Sequence, residues 1–289
     1  MRRAYVTFLM RDDGYLPGAL VLAYALKLQT TCDCICLVTK DISERARAAL
    51  RILYDGVIPI GEIRLKSSVT GGRSDRNVLL TRFEALRLSP DGGLGQYDKI
   101  ILLDADVLPL AGYDELFSLP APAGILMERR FYKPAYPHGA RIPAEVTDRV
   151  KDDPSNMGVN AGLWVLTPSA DEYGAVLRAL RRPDVMALVR GFRWPEMQLA
   201  TLLWSGRWTN IGLRYCPIGG HARIEEPYGA HFAGLKPWRL QSRSIRHYAR
   251  YPDFRLWYGF YVAMYRIYPP LHAFPRLKRL WEFCEGGPR

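Results

Sequence analysis

Tyr97-Asp98-Lys99-Ile100-Ile101-Leu102-Leu103-Asp104-Ala105-Asp106 is the stretch whose reading decides the fold. A polar entry leads into four apolar residues, two of them β-branched, which is the pattern of a short buried strand. Two carboxylates spaced i, i+2 close it. In an open α/β sheet, ligands bind at the carboxyl ends of strands. A carboxylate pair there can hold a hard divalent cation, and the cation can hold a diphosphate. That reading is metal-assisted chemistry on a nucleotide diphosphate compound. The alternative is a solvated turn, because a chain of this length shows about one Asp-x-Asp by chance.

The elements on either side alternate. A strand over 4–10 precedes a largely buried helix over 14–28, with Pro17 near its first turn. A strand over 35–39 precedes a helix over 44–53 capped by Ser43. A short strand over 57–60 and a polar, Gly-containing loop over 66–77 lead to a helical run over 78–88. Residues 124–127 form another apolar run, and 129–157, with four prolines, reads as loop or lid. Gly162 to Thr167 reads as a strand, with a helix starting at Pro168-Ser169. Repeated βα units imply an α/β fold, a mostly parallel sheet with helices on both faces.

Composition bounds the rest. The 289 residues are 48% apolar and 12% aromatic, enough for a sizeable core. No apolar run reaches bilayer-spanning length. The segment Met1 to Met10 lacks the long apolar region and small-residue cleavage site of a signal peptide, and reads as the first strand. Five cysteines give no disulfide framework. Cys32, Cys34 and Cys36 alternate along a strand and read as core thiols rather than a metal trio, since they lack the usual C-x₂-C spacing. A reducing interior such as cytoplasm fits that usage.

The net charge is +11, and +7 of it lies in residues 239–289, with ten Lys/Arg against three Asp/Glu. Aromatics from Tyr251 to Phe283 are interleaved with these basic residues. One reading is a peripheral contact with an anionic membrane surface, where Trp and Tyr sit at headgroup level. The other is a helical pair that packs its aromatics on the core. Nucleic acid is disfavoured, for no basic-region helix, zinc finger or ribonucleoprotein motif is present.

Three further segments bear on the Asp pair. In His231-Phe232-Ala233-Gly234-Leu235-Lys236-Pro237-Trp238, His231 can be a third metal ligand. Gly234 allows close backbone approach there, and Lys236 supplies a point charge for phosphate. Asn160-Ala161-Gly162 is small and polar just before a strand. Thr7 to Tyr15 places polar groups and an aromatic at the end of the first strand, where a base and ribose can sit. Taken singly, each is also an ordinary loop or turn.

In this order the segments resemble the retaining glycosyltransferases of family 8, which include glycogenin, galactinol synthase and bacterial lipopolysaccharide galactosyltransferases. The resemblance covers about residues 4–238. Its closest stretch is Ala4-Tyr5-Val6-Thr7-Phe8-Leu9 with the Gly18-Ala19-Leu20-Val21-Leu22 helix. Leu103-Asp104-Ala105-Asp106, Asn160-Ala161-Gly162 and the His231 to Trp238 segment match the family's motifs.

The resemblance implies a GT-A fold over residues 1–238; by its charge and aromatics, 239–289 is a helical extension that either meets a membrane surface or packs on the core. It implies a UDP-hexose donor, Mn²⁺ or Mg²⁺ as cofactor, and a carbohydrate, glycolipid or polyol acceptor. Carried over by position, Asp104, Asp106 and His231 hold the metal. Thr7, Leu9 and Tyr15 surround the uridine, and Asp104 with Ala105 meets the donor. Gly234, Lys236 and Arg82 serve its phosphates, while Asn160, Ala161 and Glu128 serve its sugar. The family's Asp-Gln pair falls on Trp194-Pro195-Glu196-Met197-Gln198-Leu199. Gln198 fits the Gln, Met197 replaces the Asp, and Glu196 lies one position earlier. The catalytic candidates are therefore Gln198 and Glu196. A catalytically weak nucleotide-sugar-binding protein at a membrane surface is the alternative.

Overall fold

The computed structural model describes residues 1–65, 76–127, 136–153, 155–217 and 227–286. Most of the loop read over 66–77, part of the 129–157 stretch, and Glu128 lie outside them.

The strands are β1 Arg3–Leu9, β2 Asp33–Val38, β3 Gly56–Pro59, β4 Lys99–Leu103, β5 Val107–Pro109, β6 Ala123–Leu126, β7 Val159–Leu166, β8 Thr209–Asn210 and β9 Gly229–His231. Seven of them form one sheet in the order β3-β2-β1-β4-β7-β6-β8. β1 pairs with β4 in parallel, as β6 does with β8. β7 runs antiparallel to both β4 and β6. Hence β1, β4, β6 and β8 point one way and β7 the other. The sheet is mixed and mostly parallel, and the α/β expectation holds.

By its internal contacts the chain divides into two compact units. One comprises Met1–Val6, Ile58–Asp104 and Asp114–Leu213. Its central strands read as unbroken apolar runs because both faces are covered: β4 is buried after Lys99 and β7 throughout. Helices α3 Ala144–Asp148, α4 Ala170–Arg181, α5 Pro183–Gly191 and α6 Pro195–Leu203 belong here. Phe83, Trp164, Trp204 and Trp208 form an aromatic cluster with ring centroids 5.4 to 6.3 Å apart.

The helical run expected over 78–88 is a 3-10 helix, Arg76–Leu88, in which Thr81 to Leu86 are all buried. Two expectations are corrected in this unit. The strand expected from Gly162 begins at Val159, so Asn160-Ala161-Gly162 lies inside β7 and not before it. The stretch read as irregular over 129–157 holds α3, which starts immediately after Pro143. Proline there ends the preceding extended chain without entering the helix.

The second unit comprises Thr7–Val57, Ala105–Tyr113 and Arg214–Arg289. Its helix α1, Leu16–Lys27, carries Pro17 in its first turn and buries every residue before Lys27. A helix apolar on all sides belongs in a core, which is why α1 shows no amphipathic stripe. A short 3-10 turn, Asp13–Tyr15, precedes it, with Asp12 Oδ1 accepting from Gly14 N at 2.6 Å. Ser43 caps α2, Glu44–Leu50, by accepting from Ala46 N. Helices α7 Ile245–Tyr248, α8 Pro252–Ile267 and α9 Pro275–Gly286 follow in the basic segment. No helix among the described residues is long and apolar enough to cross a membrane.

Cys34 and Cys36 lie on β2 and are buried, whereas Cys32 precedes the strand. Burial pushes the Cys34 thiol up to about 12, with Asp55 adding to the shift. Burial raises Cys36 and Cys216 as well. Thiols held protonated and out of solvent alkylate slowly. Native protein treated with iodoacetamide near pH 8 is therefore expected to leave Cys34, Cys36 and Cys216 unmodified, by peptide mass spectrometry. All three become labelled once urea unfolds the chain. Native labelling of Cys36 at the unfolded rate would contradict this core.

Candidate functional site

In the first unit, the end of β4 is fixed by β7. Leu103 pairs with Leu163, and Asp104 N donates to Gly162 O at 3.0 Å. Against β6 the register of β7 jumps: Gly124 faces Trp164, yet the next residue, Ile125, faces Asn160. The extra residues of this bulge include Ala161 and Gly162, and Asn160 Oδ1 accepts from Gly162 N at 2.7 Å. The bulge turns the Ala161 carbonyl toward Arg82, whose Nη1 donates to it at 2.8 Å. Arg82 Nη2 forms an ion pair with Asp104 Oδ1. Arg82 is thus a buried cation that ties the Asp104 carboxylate to the Asn160-Ala161-Gly162 segment.

On α6, Glu196, Met197 and Gln198 are all buried. Gln198 Oε1 accepts from Trp194 N at 2.8 Å, so the amide closes the first turn of its own helix. Thr201 accepts from Val159 N at 2.8 Å and donates to Met197 O at 2.7 Å, which joins α6 to the start of β7.

In the second unit a two-stranded ribbon does the positioning. β5 pairs antiparallel with β9, Val107 faces His231, and Phe232 N donates to Asp106 O at 2.9 Å. This sets His231 Nε2 at 3.4 Å from Asp106 Oδ1. Lys236 Nζ pairs with Asp106 Oδ2 and donates to Phe232 O at 2.5 Å. Asp106, His231 and Lys236 are each between 4% and 6% exposed, so their charges act with little solvent screening. Burial works against the Asp106 charge, yet Lys236 and His231 beside it hold the carboxyl well below the usual range.

Thr7 and Leu9 are buried on β1, with Leu9 O accepting from Thr39 N at 3.1 Å. The Tyr15 ring meets Trp238 edge-on at 5.6 Å, and Lys236 Nζ lies 5.6 Å from the Tyr15 centroid. Gly234 is exposed and faces open space, which leaves room for a ligand beside Lys236. Ala105 is buried over Gly18, whose added Cβ would lie 2.3 Å from Ala105 O.

Asp106 and His231 each offer a ligand atom within the second unit, and Asp104, at the end of β4 in the first unit, offers another. Among the described residues the cysteine trio does not form a metal-ligating group. Two carboxylates and one imidazole suit a divalent ion of the Mn²⁺ or Mg²⁺ kind. Lys236 and His231 beside Asp106 favour its ionised, ligating form. Sequence reasoning missed the β5–β9 ribbon, because strands of three residues carry no periodic signal. It also passed over Gly18 as a point of close approach.

No family model matches the chain. Among its relatives is protein R707 of Acanthamoeba polyphaga mimivirus, whose name describes it as uncharacterized. It is 33% identical over 257 residues, covering 84% of this chain and 85% of that protein. Galactinol synthase 4 of Arabidopsis thaliana is 27% identical over 82% of this chain and 74% of the synthase. Glycogenin-1 of Oryctolagus cuniculus is 35% identical over 119 residues, 40% of this chain, and the match spans only 34% of the glycogenin. The crystal structure of the galactosyltransferase LgtC superposes with a TM-score of 0.59 at 15% identity, covering 89% of this chain and 94% of LgtC. That likeness gives the fold as GT-A. The sheet, the motif order and these relatives agree on a glycosyltransferase resembling those of family 8.

Proposed function

We propose that the chain is a retaining hexosyltransferase that moves a hexose from a UDP-sugar to a hydroxyl of a glycan, glycolipid or polyol. The observation that carries this reading is the buried Asp106 carboxylate, the second of the Asp104-Ala105-Asp106 pair, with His231 beside it and Lys236 against it. A divalent ion bound there would act as a Lewis acid on the diphosphate oxygens. The protein's own cations do the complementary work. As the anomeric bond breaks, negative charge collects on the departing diphosphate. Lys236 and Arg82 favour that charge more than the ground state, which lowers the barrier. Buried and held by Asp106, Asp104 and the Ala161 carbonyl, they need little reorganisation at the moment of reaction.

Thr7, Leu9 and Tyr15 are assigned to the uridine, Ala105 and Gly234 to the diphosphate approach, and Asn160, Ala161 and Glu128 to the sugar. Residues 1–238 form the transferase portion in this reading. The 239–289 extension meets an anionic membrane surface through its arginines and the exposed Tyr248, Tyr251 and Leu256.

Release of UDP from a panel of UDP-sugars, with Mn²⁺ or with EDTA, tests the proposal. Mn²⁺-dependent release from one UDP-hexose is expected, and its absence for every donor overturns the reading. A second reading, a donor-binding protein of low turnover, draws support from Met197, which carries no carboxylate, and from Gln198, whose amide oxygen takes the Trp194 N–H. Mn²⁺-dependent UDP binding without release would select it.

A further inference from the structure

On α9, Arg276 and Arg279 stand one turn apart. Together with Leu280, and with Trp238, Leu240 and Gln241 from the preceding segment, they line a cavity of about 450 Å³. That volume lies within the ~300–1,000 Å³ of small-molecule sites. Its lining is mixed in a specific way: two guanidinium groups, one amide, and apolar walls.

Neither arginine meets a carboxylate among the described residues. Arg276 reaches only the carbonyl oxygens of Asp13 and Gly14, at 3.3 and 3.4 Å. The Asp13 carboxylate is engaged elsewhere, accepting from Ser43 N at 3.0 Å and Ser43 Oγ at 2.6 Å. Glu285, on the same helix, pairs with Arg266 at 2.7 Å. A second observation concerns Trp238. Its ring is 4% exposed, and its indole N–H is buried with no acceptor. A buried donor left unmet is costly.

We infer that this cavity is a second ligand site, taking a phosphate ester with an apolar body. The planar guanidinium fork matches phosphate oxygens bidentately, and two of them suit a doubly charged group better than a lone carboxylate. The leucines and the indole face accommodate the apolar portion, and Gln241 offers an amide to an ester or hydroxyl oxygen. None of these residues belongs to the Asp104, Asp106 and His231 group, so the site does not depend on the donor reading. Trp238 connects the two, since its ring also packs against Tyr15.

Two sources share this chemistry, a soluble phosphate ester and a phospholipid headgroup. Calorimetric titration of the full chain in EDTA, with glycerol 3-phosphate and with dihexanoyl phosphatidic acid, separates them. Binding of the lipid alone assigns a headgroup, and binding of both with the lipid tighter assigns a soluble ester; either supports the site, whereas equal binding of both overturns its apolar part. Arg276→Gln and Arg279→Gln are each expected to weaken binding about tenfold. Both positions are exposed, so folding is retained, which a circular dichroism melt verifies. Lys278→Gln removes the same charge from an exposed neighbour outside the cavity and is expected to change affinity less than about twofold. The inference is overturned if neither probe binds, or if Lys278→Gln weakens binding as much as the arginine variants. Displacement of the probe by UDP with Mn²⁺ also overturns it, since the cavity would then belong to the donor site.

Discussion

Asp106→Asn is expected to lower Mn²⁺-dependent UDP release about a thousandfold, the scale on which loss of a focused electrostatic contact acts in a buried site. The substitution keeps the side chain's shape and removes its charge. It takes one ligand from the proposed metal set of Asp104, Asp106 and His231 and leaves Lys236 buried opposite a neutral amide. Wild type in EDTA and the variant in Mn²⁺ should therefore behave alike. A thermal melt accompanies the assay, because stranding a buried cation also costs stability, by about 3–5 kcal/mol where no relaxation occurs. The acid limb gives an independent check. The folded carboxyl of Asp106 lies below its unfolded value, so its contribution to stability is fully present above about pH 4 and is lost as pH falls toward the folded value. The variant lacks that group, and its stability should fall less steeply below about pH 4. Retention of a tenth or more of wild-type release by a folded variant would remove Asp106 from the metal site.

The parts of this fold that were legible in the sequence are those whose burial leaves a long one-dimensional trace. β1 and β4 are unbroken apolar runs because both faces of the sheet are covered there, and α1 is apolar all round because it is enclosed. The carboxylates stand out because they follow directly on such a run. What could not be read depends on contacts between distant segments. Nothing in Val107–Pro109 or Gly229–His231 announces pairing, yet that ribbon is what puts His231 beside Asp106. The bulge in β7 shows only as small residues, Asn160-Ala161-Gly162, which read equally well as a turn; its register against β6 decides. Arg82 was assigned to the donor phosphates by resemblance alone. Its link between Asp104 and the Ala161 carbonyl arises because Thr81 to Leu86 of the 3-10 segment carrying it are all buried, which no helical stripe could signal. At Gln198 the sequence supplies the residue type, and only the structure gives the hydrogen bond that holds its amide at the helix start.

Gly18→Ala is expected to destabilise the protein by about 2–3 kcal/mol, read as a lower urea midpoint with unchanged slope. In an open helix the same change would be favourable by about 1 kcal/mol, since glycine is the poorer helix former. Here a Cβ on Gly18 would lie 2.3 Å from Ala105 O and 2.4 Å from Trp238 Cη2. The oxygen is backbone and cannot swing aside as a flexible side-chain end would. Relief requires Ala105 to move, and Ala105 is bonded directly to both Asp104 and Asp106. Overpacking should therefore outweigh the gain in helix propensity, and it should do so at the site. Metal-dependent UDP affinity is expected to fall together with stability. Gly259 supplies the contrast. It lies in α8, is exposed, and would present its Cβ to open space. Gly259→Ala should raise stability by up to about 1 kcal/mol and leave UDP binding unchanged. The opposite signs of two glycine-to-alanine changes, each inside a helix, isolate the close approach of α1 to the Asp104-Ala105-Asp106 turn as the cause. If Gly18→Ala instead stabilises the chain as Gly259→Ala does, that contact does not position the carboxylates.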